Sequence, residues 1–303
     1  MAVIEVKNLV KNYSDTKAVD GVSFSVAEGE NFGMIGPNGA GKTTTIECLE
    51  GIRQPSSGII EVLGLSPYKD RKKLYESIGT QLQETQYQDR IKVFELCRLF
   101  SSFYANPAPY EKLLGEFELS DKQKSYVNQL SGGQRQRLSI ILALIPSPKI
   151  VFLDELTTGL DPQARHAMWD LIKSLKNKGI TVFLTTHFMD EAEVLCDRVA
   201  VIDHGKIIAL DAPKNLIMTS EVETKIIFNS QALDLEHSLK TLKGVTKVQQ
   251  DGNEVSIYGT DKSILGDLIS LLQSNGIEFS NLTTEEPSLE DVFLKLTGRK
   301  IRG

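Results

Sequence analysis

The sequence has little of what marks a secreted, membrane-embedded or nucleic-acid-coating protein. Only three cysteines occur in 303 residues, and Cys48, Cys97 and Cys196 lie far apart with no metal-type spacing. That excludes a disulfide framework and favours a reducing compartment. No apolar run approaches the roughly 20 residues that a helix needs to cross a bilayer. The most apolar stretch, "IILALI" at 140–145, stops at Pro146. The opening MAVIEVKNLVKNY alternates apolar and polar residues like a strand and lacks the basic-then-apolar layout of a signal peptide. Basic residues are not in excess: 34 Lys and Arg stand against 40 Asp and Glu, a net charge of −6. This argues against a general nucleic-acid binder. Internal repeats and low-complexity tracts are missing too. A role at a membrane would therefore run from the cytosolic face and through a partner.

What is present fits a soluble α/β protein. The chain is 41% hydrophobic and long enough for one large domain and a small one. "VIEV" and "VSFSV" alternate as half-buried strands, whereas "NFGMI", "KIVFLD" and "GITVFLT" are continuous apolar runs of the buried kind. Helical spacing of Leu and Phe covers 92–104 and 110–119, and a helix holding Trp169, Leu171 and Leu175 separates the last two buried strands. Strand–helix–strand order of this type implies a mainly parallel sheet. Residues 198–210 read as a closing hairpin around His204-Gly205. Beyond Met218 the texture changes, and the alternation of "TKIIFN", "LEHSLKTL", "VTKVQQ", "VSIYG" and "KSILGDLISLLQ" predicts a separate small α+β domain. The expected division is 1–218 and 221–303.

The strongest local signal is "GPNGAGKTT" at 36–44, which fits G-x-x-x-x-G-K-[ST] with an apolar strand before it and a helix after it. Gly36, Pro37, Asn38, Gly39, Ala40 and Gly41 let the backbone curl so that successive N–H groups point at phosphate oxygens. Lys42 would reach the β/γ oxygens, and the hydroxyl of Thr43, followed by Thr44, would ligate Mg²⁺. A loop of this kind needs a carboxylate opposite it. "IVFLDE" supplies Asp154 for the cation and Glu155 to polarise an attacking water.

Together these residues resemble the ATP-binding subunits of ABC transporters, whose motifs occur here in the family's order. The resemblance implies a P-loop ABC ATPase core with a mainly parallel sheet, an antiparallel β subdomain and a helical subdomain. It places Tyr13 against adenine, and Gln83 in the Q-loop as a Mg²⁺ and water ligand. "LSGGQ" at 130–134 matches the signature, Asp161 the D-loop, and His187 the switch histidine that contacts the γ-phosphate. Taken singly, Tyr13 could pad a sheet edge, Gln83 could be a surface amide with Gln81, Gln86 and Gln88 as rivals, and His187 could cap a helix.

In resembling proteins two ATPase domains sit head to tail. Ser131, Gly132, Gly133 and Gln134 would then close over ATP held by the partner's phosphate loop, with the helix beginning near Gln134. The implied partners are a second ATPase subunit, identical or paralogous, and an integral membrane permease, with no nucleic acid. The implied ligands are ATP and Mg²⁺, and the expected place is the cytosolic face of the membrane. One departure stands out: the family has Pro after the Walker B glutamate, where this chain has Leu156. Losing that fixed φ could loosen the carboxylate, yet the reactive side chains are unchanged and ATPase activity is expected.

"EEPSLEDVFLKLTG" at 285–298 resembles the end of ATPases serving drug, antibiotic and polysaccharide exporters, with Leu289, Val292, Phe293 and Leu296 expected inward. A ribosome- or DNA-directed ATPase of this superfamily would carry paired cassettes, coiled-coil inserts or zinc modules. A phosphate-loop GTPase would need an Asn-Lys-x-Asp stretch. The sequence contains none of these.

Overall fold

The computed structural model describes residues 1–81, 87, 90–220, 222–232, 235–261 and 263–298. It divides into two compact units, Met1–Pro213 and Lys214–Gly303. Gln83 lies outside the described residues.

The first unit opens with two long antiparallel strands, β1 (Ala2–Tyr13) and β2 (Thr16–Ala27). Ile4, Val6, Val22, Phe24 and Val26 alternate inward and are buried, the period of two that a one-sided sheet requires. β3 (Asn31–Ile35), buried on both faces, feeds the glycine loop and helix α1 (Lys42–Leu49). Next come β4 (Ser57–Val62), which pairs with the free side of β1, α2 (Arg71–Leu74) and β5 (Ile78–Gln81). Helices α3 (Val93–Ser101), α4 (Tyr110–Glu116) and α5 (Gly132–Leu144) follow. The unit continues with β6 (Ile150–Asp154), α6 (Pro162–Asn177), β7 (Thr181–Thr186) and α7 (Met189–Leu195). It closes with the antiparallel pair β8 (Arg198–Asp203) and β9 (Lys206–Asp211), and α8 (Pro213–Thr219) starts at the division.

The main sheet runs in the order β5-β6-β7-β3-β8-β9. Its first five strands are parallel, and β9 is the antiparallel edge. β7 sits between β6 and β3, so the segments leaving the carboxyl ends of all three open onto one edge of the sheet. That edge is where open α/β sheets bind ligands. Beneath it, Phe24 of β2 stacks on Phe32 of β3 at 5.3 Å, and Phe183 of β7 meets Phe32 at 5.6 Å and Phe152 of β6 at 5.8 Å. Each such ring pair contributes about 1 kcal/mol beyond area burial. They fix the small sheet to the large one. A second core, with Leu96, Leu114, Phe117, Leu138, Ile141 and Trp169, is gathered from α3 to α6.

The second unit contains β10 (Thr224–Asn229), α9 (Glu236–Leu239), β11 (Val245–Asp251) and β12 (Glu254–Gly259). It ends with α10 (Ile264–Ser274), β13 (Ser280–Glu285) and α11 (Leu289–Thr297). Its four strands form an antiparallel sheet in the order β11-β12-β10-β13, with Ile226, Phe228, Ile257, Leu268 and Leu272 at the core.

Two expectations need correction, and one strand was not anticipated. The helix read across "LEHSLKTL" is the four-residue α9. Ser280–Glu285, polar and unremarkable as a string, is a strand that pairs with β10. Leu289, Val292 and Phe293 are buried on α11 as expected, but Leu296, in the last turn of the helix, is 46% exposed although it continues the same stripe. Among the described residues no helix is long and apolar enough to cross a membrane.

Candidate active site

The loop after β3 owes its path to glycine. Gly39 and Gly41 have φ of +79° and +110°, in the left-handed region. A β-carbon at Gly36 would stand 2.2 Å from the Ile202 carbonyl oxygen, and one at Gly41 2.4 Å from that of Ala18. The loop delivers Lys42 to the first position of α1, where it is 4% exposed. Its ammonium donates to the carbonyls of Gly36 at 2.9 Å and Pro37 at 3.1 Å and lies 3.3 Å from Oε1 of Glu155. A buried cation needs such partners.

Asp154 ends β6 and Thr185 lies beside it on β7. The Thr185 hydroxyl donates to Asp154 Oδ1, and the Thr43 hydroxyl reaches the same oxygen at 3.5 Å. The buried amide of Gln81, on β5, accepts from the Asp154 N–H at 3.1 Å. Burial pushes the Asp154 carboxyl above its ordinary value, and the two threonine hydroxyls oppose that shift. Glu155 follows with φ of +47°, a conformation that costs a non-glycine residue of the order of 1 kcal/mol. It is held there by its N–H, which donates to Thr185 O at 3.1 Å and Thr185 Oγ1 at 3.2 Å. Leu156 is 3% exposed within the helical-side core. Packing and the Thr185 contacts fix the turn in place of the missing proline ring.

His187, just beyond β7, brings Nδ1 to 3.5 Å from Oε2 of Glu155, although that nitrogen makes no hydrogen bond. Tyr13, at the end of β1, is 37% exposed, with Lys11 Nζ and Arg53 Cζ at 5.1 and 5.4 Å from its ring centre. A cleft of about 420 Å³ is lined by Tyr13, Asn38, Gly39, Lys42, Thr43 and Glu155, among others.

Two groups of expected residues lie elsewhere. Ser131 caps α5 in a capping box: its Oγ accepts from Gln134 N at 3.3 Å, and its N–H donates to Gln134 Oε1 at 3.0 Å. The helix starts at Gly132, two residues before the expected position. Asp161 caps α6 by accepting from Ala164 N at 2.9 Å. A β-carbon at Gly132 or Gly133 would meet only Leu160 Cδ2 at 3.8 Å or Ala164 Cβ at 3.6 Å, ordinary contacts. Neither glycine has a positive φ. Among the described residues, nothing in the packing requires them.

Sequence reasoning missed Thr185 and the buried Glu191, and offered Gln81 only as a rival to Gln83. Each acts across neighbouring strands or helices, so no local pattern announces it. Glu50, 2% exposed at the end of α1, was missed as well; burial, with Asp154 and Glu47 nearby, pushes its carboxyl up to about 8.

A family model described as ABC transporter matches residues 19–158. A second, for the C-terminal domain of DrrA1-3-like ATP-binding proteins, matches 215–297. A Nod factor export ATP-binding protein I from Ralstonia nicotianae is 37% identical over 308 residues, covering 99% of this chain and 95% of the relative. The chain belongs to the ABC transporter ATP-binding family. The cassette is also 38% identical to a Nod factor export ATP-binding protein I from Paraburkholderia xenovorans, with 99% of both chains covered. Its fold matches a nucleotide-free ATP-binding cassette of an ABC transporter with a TM-score of 0.66 and 28% identity, over 71% of this chain and 94% of that one. CbiO1 of Clostridium perfringens, part of the CbiONQ transporter complex, gives 0.65 and 29%, over 73% and 92%. This cassette is the nucleotide-binding, ATP-hydrolysing subunit of an ABC transporter.

Proposed function

We propose that the cassette powers an exporter by closing head to tail with a second ATPase subunit over two ATP molecules. The observation that carries this reading is the pair of signature glycines. They begin a 13-residue helix, their own chain leaves room for side chains at both, and they do not line the cleft of Lys42. Bare N–H groups at a helix start suit an anion brought by another molecule. A solved bacterial ABC transporter cassette, 25% identical to this one, is dimeric. Export rests on the names of the Nod factor relatives, and a separate membrane permease, met from the cytosolic face, would supply the span.

In this reading Tyr13 flanks the base, the 36–44 loop wraps the phosphates, and Lys42 turns from its loop carbonyls toward the β/γ oxygens. The hard oxygen donors of Thr43 and Asp154 fit Mg²⁺, with Gln83 assigned to the same shell from sequence. Bound there, the cation would neutralise charge on the phosphates. Glu155 accepts a proton from the attacking water, while His187 orients the γ-phosphoryl group. Lys42 between loop and carboxylate keeps Glu155 aimed at the cleft until the phosphate arrives. Asp161 lies at the dimer seam beside the signature turn. The domain division proposed is an ATPase core over 1–218 and an accessory domain over 221–303.

The test is Glu155→Gln. The variant should bind ATP normally, cease turnover and accumulate as an ATP-bound dimer in gel filtration with light scattering. Turnover at the native rate would refute Glu155 as the base. A strictly monomeric, ATP-loaded variant would refute the composite site.

A further inference from the structure

Outside the cleft, the turn bearing His187 is gripped by helix α6. Arg165 stands 4.5 Å above the ring of Phe188, and that ring lies 4.2 Å from the imidazole of His187. Nη1 of Arg165 also meets Asp190 Oδ2 at 3.3 Å, in the first turn of α7. Phe188 is tied to the strand end, since its N–H donates to Thr186 Oγ1 at 3.0 Å. One turn further along α6, Trp169 Nε1 donates to the buried Glu191 at 3.2 Å. Thus two side chains of α6 clasp two consecutive residues of α7, with the histidine turn between them and the sheet.

The same end of α6 also reaches the signature turn. Asp161 caps it, and Ala164, next to Arg165, backs Gly133 of the signature turn. One rigid helix therefore touches the signature turn with its first residues and the histidine turn with the next. We infer that Arg165 is a positioning residue for His187, holding it through Phe188 and Asp190, and that it makes the placement of His187 depend on the helix behind the signature turn. The guanidinium suits this task because its flat face stacks on the ring while its edge pairs with a carboxylate. The inference rests on the role proposed for His187.

The experiment is a double-mutant cycle in the full chain, with ATPase rates read as kcat and KM separately. Arg165→Met should lower kcat about tenfold, the loss of one partly buried cation–π contact with its ion pair. KM for ATP should change less than about twofold, because the residue lies outside the nucleotide cleft. Arg165→Lys, which keeps charge but not the flat stack, should fall between, and Phe188→Tyr should retain most activity where Phe188→Leu does not. In a His187→Ala background, Arg165→Met should cause no further fall. A full second fall in that background refutes the latch, as does an Arg165→Met enzyme with native kcat. A native rate for His187→Ala refutes the histidine's role itself and takes the latch with it. Should Arg165→Met fail to fold, Phe188→Leu and Asp190→Asn carry the same cycle.

Discussion

Replacing Gly132 and Gly133 together by alanine separates what the fold needs from what the proposed dimer needs. Within the chain the new methyls would meet Leu160 and Ala164 at 3.8 and 3.6 Å, distances at which they add contact and no clash. Alanine is favoured over glycine by up to about 1 kcal/mol in a helix interior and by less in a first turn. The pair should therefore be neutral or stabilising by about 1 kcal/mol, worth about 2–4 °C in a unit of this size. In the proposed closed dimer those methyls would stand where a phosphate approaches two backbone N–H groups. Hydrogen bonds to a charged group contribute about 1.5–3 kcal/mol each, so losing two weakens closure by about 3 kcal/mol or more, over a hundredfold at each site. Melting curves without nucleotide, light scattering with ATP in the Glu155→Gln background, and steady-state turnover together form the assay. An unchanged or higher melting temperature with lost dimer and turnover is expected. A variant that hydrolyses ATP at the native rate would refute the reasoning. So would a melting temperature lowered by several degrees, which would mean the glycines serve their own chain.

Lys42→Ala should abolish nucleotide binding measured by fluorescent-analogue titration, because it removes the ammonium buried between the loop and Glu155. Thr185→Val keeps the shape but deletes the hydroxyl serving both Asp154 and the Glu155 N–H. It should cost about 1–3 kcal/mol of stability and raise the Mg²⁺ concentration for half-maximal ATPase activity, read by melting and by metal titration. Glu50→Gln should show a pH signature. With the native carboxyl near 8 against an ordinary 4.5, the unfolded chain loses this proton before the folded one does. Wild-type stability therefore falls as pH rises from about 4.5 to about 8 and then levels. The glutamine variant escapes that slope, so its advantage in melting temperature should be larger at pH 8 than at pH 5, with a ceiling of about 5 kcal/mol. Parallel pH profiles would remove Glu50 from the account.

The phosphate loop and the Asp154 strand were legible because each is a short apolar run ending in residues with no structural reason to be there. β5 was not, since Gly79 and Gln81 look like loop residues. The structure explains both. A β-carbon at Gly79 would stand 1.9 Å from the Ala143 carbonyl oxygen, so α5 can cross this strand only at a glycine, and the Gln81 amide is spent on the Asp154 N–H. β13 escaped notice for the opposite reason. It is an edge strand pairing on one side only, and Leu282 is the single large apolar residue it sends toward the core. The glycines of the signature were readable as unusual, and the room around them supports the proposal that they serve a second subunit. The clasp on His187 was hidden because Arg165 and Phe188 meet only after a helix, a turn and a strand intervene.

The capping box at Ser131 has a consequence for that residue's chemistry. Its oxygen already receives the Gln134 amide hydrogen, and its own amide hydrogen is spent on the glutamine side chain. What the residue still has to give is the hydroxyl proton. Aspartate could cap this helix as well as serine, but in the proposed dimer it would offer a repelling charge to a triphosphate where serine would offer a hydrogen.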